Sequence, residues 1–104
     1  MEDKFKEIYA ILKALEAAMD CPEFSISQID HDKLGITYER WAQYLEMMKD
    51  EGLIKGVKFF KDISGNTIAD AIDIRITLQG IEYLNGNPIM QNISNAAKGI
   101  KNIT

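Results

Sequence analysis

The chain offers little for covalent chemistry. Its 104 residues include one cysteine, Cys21, and one histidine, His31. A single cysteine excludes an internal disulfide, and with it a secreted disulfide scaffold, so a reducing cytoplasm is the expected compartment. His31 has no Cys/His companions at metal-ligand spacing. Set among Asp30, Asp32 and Lys33, it reads as a solvated surface histidine. Cys21 has no histidine to activate it and reads as a small buried hydrophobe. There is no phosphate-binding loop, nucleophile elbow or dinucleotide fingerprint. The expectation is therefore a non-enzyme with no metal and no cofactor. Long apolar runs are also missing. The opening MEDKFKEIYAILK threads charges through its apolar positions, unlike a signal peptide or a membrane span. Positive charge is scarce as well: 12 Lys and Arg stand against 16 Asp and Glu, a net charge of −4. That balance argues against a non-specific nucleic-acid coat but leaves room for a small basic face.

What is present suffices for a core: 46% of residues are hydrophobic and 27% charged, a globular composition rather than a disordered one. With no repeat and no linker, residues 1–86 read as one domain and 87–104 as a C-terminal helix for packing or dimerisation. Phe5, Ile8, Leu12, Leu15 and Met19 form a helical stripe that Pro22 brings to a stop. Ser27 is the expected cap of a short helix carrying Ile29 and Leu34 and ending at Gly35. Thr37 caps the central helix, whose stripe is Tyr38, Trp41, Leu45 and Met48, and Gly52 is its left-handed stop. Short helix, tight turn and longer helix make a helix-turn-helix unit.

Beyond Gly52 a hairpin is expected from strands 54–60 and 71–76, joined through Ser64-Gly65-Asn66. Ile72, Ile74 and Ile76 should share one face, with Asp73 and Arg75 on the other. Thr77 then caps a helix bearing Leu78, Ile81 and Leu84, and Gly80 inside it calls for a close neighbour. Gly86 stops that helix, while Asn87 and Pro88 start the last. Ile89, Ile93, Ala96, Ile100 and Ile103 give the last helix a heptad-like seam, suited to a homodimer. The fold class is α+β: a winged helix-turn-helix with an extra C-terminal helix.

Function has to be read from binding. Lys55, Lys58 and Lys61 recur along the first strand, with Arg75 across the hairpin and Arg40 on the central helix. On one side of a winged helix these would meet phosphates; the plainer explanation is a solubilising edge where lysine blocks strand pairing. The outward face of the central helix reads as Arg40, Gln43, Tyr44 and Met47. Arg and Gln can address purine edges, while Tyr and Met equally suit a protein partner or burial under the last helix. The same helix carries Glu39, Glu46, Asp50 and Glu51 against only Arg40 and Lys49, a net charge of −2 that opposes DNA.

Three stretches, FKEIYAILKALEAAMD, LGITYERWAQYLEMMKDEGLIKGV and ITLQGIEYLNGNPIMQNISNAAKGI, together resemble the YjcQ family of small winged-helix proteins from bacteria and their phages. The resemblance implies the winged-helix fold and a regulatory role assigned through that fold, and it brings no catalytic residues. The leading expectation is binding of double-stranded DNA as a transcriptional regulator of phage or prophage type. The alternative is a protein-interaction module using the acidic surface and the C-terminal helix.

Overall fold

The computed structural model describes residues 3–21 and 29–97. It is an α+β arrangement of helices around two small antiparallel sheets. The first helix, α1, spans Asp3–Ala17 and tightens into a 3-10 turn over Ala18–Asp20. That tightening decides which residues face inward. In a 3-10 turn residues three apart eclipse, so Leu15 is followed inward by Ala18, and Met19 is left exposed. The buried set is Ile11, Leu12, Leu15 and Ala18, with Phe5 and Ile8 half-buried beside it. Cys21, just past the turn, is exposed rather than buried.

Helix α2, His31–Leu34, is capped by Asp30, whose side chain accepts from the Lys33 N–H at 3.1 Å. The expected cap, Ser27, lies outside the described residues. His31 is half-buried rather than fully solvated, its ring edge-on to Tyr38 at 5.5 Å. Helix α3, Tyr38–Asp50, starts at Thr37, whose hydroxyl accepts from the Arg40 N–H at 3.1 Å, and ends before Gly52 at positive φ. Trp41, Ala42, Tyr44, Leu45 and Met48 are its buried residues. The Trp41 Nε1–H donates to the Ile29 carbonyl at 2.9 Å, so the indole buries without an orphaned donor.

Where a single hairpin was expected, the strands are interrupted. Strand β1, Ile54–Lys55, pairs with β4, Arg75–Ile76; β2, Lys58–Lys61, pairs with β3, Thr67–Asp70. Between the two ladders Gly56 and Val57 face a turn over residues 71–74, closed by the Ile74 N–H on the Ala71 carbonyl at 3.1 Å. Gly56 has φ +82°, and a Cβ there would collide with the Asp73 carbonyl oxygen, so the break needs glycine. The turn carries Ile72 into solvent, away from the face it was expected to share with the buried Ile74 and Ile76.

Helix α4, Leu78–Gly86, is capped by Thr77, which accepts from the Gly80 N–H at 3.0 Å. Gly80 is buried, and any Cβ on it would collide with the Leu53 carbonyl oxygen. This is the close neighbour its sequence position called for. Because two residues turn a helix by about 200°, Leu78 faces away from that contact and is exposed, leaving Leu84 buried and Ile81 half-buried. Gly86 is the last helical residue, not a left-handed stop. Asn87 ends α4 through its N–H on the Tyr83 carbonyl and caps α5, Pro88–Ala97, through Oδ1.

Helix α5 delivers Met90 and Ile93 into the same cluster as Ile11, Leu12, Leu45 and Ile74. Each such side chain, fully buried, contributes about 1.5–3 kcal/mol. Among the described residues no helix is long and apolar enough to cross a membrane.

Candidate binding surfaces

On α3 the exposed residues fall into one stripe. Glu39, Gln43, Glu46 and Asp50 follow one another at intervals of four, three and four, and all are exposed. Arg40 and Met47 flank the stripe toward α1; Lys49 flanks it toward the hairpin. Both cations are exposed, and each leans toward a neighbour off the stripe. The Arg40 Nη1 lies 3.9 Å from Glu7 Oε1, and Lys49 Nζ sits 5.4 Å from the centroid of the Phe59 ring. The centre of the stripe is thus three carboxylates and an amide.

Tyr44, expected on the outward face, is buried instead. Its hydroxyl donates to Glu7 Oε1 at 2.5 Å, joining α3 to α1. Loss of solvent, then the Glu7 carboxylate beside it, pushes the Tyr44 hydroxyl up to about 12. The same oxygen lies near Arg40, so Tyr44 belongs to the joint between helices, while Arg40 stays more than half exposed at its edge. Gln43 remains exposed.

The hairpin cations divide. Lys55 and Arg75 are exposed register partners in the first ladder, and the Arg75 Nη1–H donates to the Ile74 carbonyl at 2.7 Å. Lys58 and Lys61 are three apart on one strand, an odd spacing that puts them on opposite faces. The expectation of one lysine-lined side therefore fails. Lys61 shares a face with Phe59, which packs toward the core, and its Nζ donates to Thr67 at 2.7 Å. Lys58 shares the outer face with Phe60, opposite Asp70 and Ile68 respectively. Phe60 is 53% exposed and Ile68 42%. The signal for this apolar outer face lies in Lys58-Phe59-Phe60-Lys61: with one phenylalanine inward, strand alternation sends the other out.

Of the C-terminal seam, Ile93 is buried in the chain's own core, Ile89 is half-buried against it, and Ala96 is exposed. Ile100 and Ile103 lie outside the described residues. The described part of the seam is thus largely covered within the protomer.

A further feature escaped the sequence reading. A cleft of about 590 Å³ opens between α1, α3 and α4, lined by Ile8, Met47, Met48, Leu53 and Tyr83, with Glu51 and Glu82 among its polar residues. The apolar residues come from three separate helices and the chain that follows α3, and no local pattern joins them. The Glu51-Gly52-Leu53 turn and Gly80's approach to Leu53 bring them together.

The family model described as YjcQ protein matches residues 9–103 of the chain. No curated protein and no solved structure matches it.

Proposed function

The chain belongs to the YjcQ family, and on that premise we propose that it is a winged-helix module that docks a protein partner through the acidic outer face of α3. The order of three helices, a strand, a hairpin, a return strand and two closing helices supports the winged-helix assignment. One observation carries the docking reading: Glu39, Glu46 and Asp50 share the exposed stripe with Gln43, while Arg40 and Lys49 are drawn to its margins. Against a phosphate backbone that stripe is repulsive; against a basic protein surface it steers association.

Duplex DNA, with a regulatory role of phage type, is the second reading. It is favoured by the Lys55–Arg75 pair on the first ladder, two exposed cations side by side.

Anisotropy titration of a mixed-sequence duplex at low salt separates the two. The docking reading expects no saturable binding up to high micromolar protein. Saturable binding whose log–log salt slope is flattened by about two units on replacing Lys55 and Arg75 with alanine overturns it in favour of DNA.

A further inference from the structure

We propose that the cleft between α1, α3 and α4 is a groove for a lysine- or arginine-bearing amphipathic helix of a partner protein. The inference rests on the protein-docking reading and adds a second contact surface to it.

The groove's chemistry selects the occupant. Its floor is Ile8, Met48 and Tyr83, and Met47 stands beside them 50% exposed. Methionine is unbranched and polarizable, and it adapts to apolar anchors of different shape. The charged groups of the lining are Glu51 and Glu82, both acidic and both exposed. Among the described residues neither carboxylate has an ion-pair partner. The side-chain amide at the rim, Gln79, is already engaged: its Nε2–H donates to the Glu51 carbonyl at 2.6 Å. An apolar trough between helices with two free carboxylates fits the helix-in-groove mode, in which leucine-like residues one turn apart enter the trough and flanking cations meet the acids. An acidic partner would be repelled, and a neutral one would leave both glutamates beside apolar surface without compensation.

The probe is a synthetic leucine–lysine peptide with leucines at i, i+3, i+4 and i+7, titrated into the intact chain while the methyl resonances of Ile8, Met47 and Met48 are followed. A leucine–glutamate peptide of the same spacing and 4-phenylbutylamine are run beside it. The groove predicts saturable shifts of those three methyls with the basic peptide and none with the acidic one. Glu51→Lys with Glu82→Lys should weaken binding at least about tenfold. Asp20→Lys with Asp73→Lys, the same change of net charge at exposed positions outside both the groove and the α3 stripe, should leave it within about twofold. Thermal unfolding of each variant shows that it is folded, and the Glu51→Gln/Glu82→Gln pair repeats the test with a milder change. Equal losses from the two lysine pairs would mean long-range attraction alone and overturn the groove. So would equal binding of the acidic peptide, or displacement of the basic peptide by the small amine at similar concentration, which would make this a small-molecule pocket. Peptide failure without duplex binding removes the groove alone. Duplex binding with a normal peptide titration removes the α3 docking surface alone.

Discussion

The hydroxyl of Tyr38 accepts the backbone N–H of Ala69 at 2.9 Å and lies 3.4 Å from the carbonyl of the same residue. Tyr38 is the first residue of α3, and Ala69 sits in β3, so one side chain fastens the start of the helix to the far strand of the hairpin. Its ring rests against Trp41 at 5.5 Å on one side and His31 on the other. The acidic stripe of α3 and the outer face of the hairpin are thereby held at a fixed relation.

Tyr38→Phe keeps the ring and removes the tether. The Ala69 N–H then loses its side-chain partner in a half-buried position, at an expected cost of about 1–2 kcal/mol. Chemical denaturation measures the cost, and amide exchange should accelerate at Ala69 ahead of the α3 amides.

Trp41 is buried and hydrogen-bonded to the Ile29 carbonyl. Trp41→Ala should cost about 3–5 kcal/mol, a large share of the stability of a domain this size. Trp41→Phe should cost less yet still measurably, because the Ile29 carbonyl loses its donor. A denaturation midpoint unmoved by Trp41→Ala would contradict the packing of α3.

Two glycines of α4 should respond oppositely to alanine. At Gly80 the new methyl meets the Leu53 carbonyl and the Ile76 side chain, so Gly80→Ala should destabilise despite the gain in helix propensity. At Gly86 no atom lies within reach of the methyl and φ is not positive. Gly86→Ala should therefore be neutral or stabilising by up to about 1 kcal/mol. Thermal unfolding of the pair gives both signs in one experiment.

Alkaline pH should weaken the α1–α3 joint. The Tyr44 hydroxyl titrates near its ordinary 10.0 when unfolded and is pushed up to about 12 when folded. The neutral form is thus the one the fold favours. Its contribution is complete below pH 10 and is lost as pH rises from about 10 through about 12, on the order of 2 kcal/mol in all. Denaturation midpoints measured across that window should fall more steeply for the native chain than for Tyr44→Phe.

Cys21 is exposed in the native fold. It should react stoichiometrically with a thiol reagent without denaturant, at a rate close to that of the unfolded chain. Protection of the thiol until unfolding would place it in the core after all.

Much of the chain's local structure was fixed by residue order alone. Thr37, Thr77 and Asn87 cap helices because a short polar side chain before a helical stripe can accept the first free N–H groups, wherever the helix later packs. The Gly52 stop and the Trp41–Leu45–Met48 stripe follow from local geometry too. Tertiary contact decided the rest. Gly56 breaks the hairpin because it must pass the Asp73 carbonyl, and the break turns Ile72 outward. Leu78 is exposed because Gly80 is pressed on Leu53, and Tyr44 is buried because Glu7 on another helix receives its hydroxyl. Helical periodicity names a stripe but not which edge of it meets a neighbour. The cleft of Ile8, Met47 and Tyr83 draws on three helices whose spacing along the chain carries no signal, so only the packed fold could bring it into being.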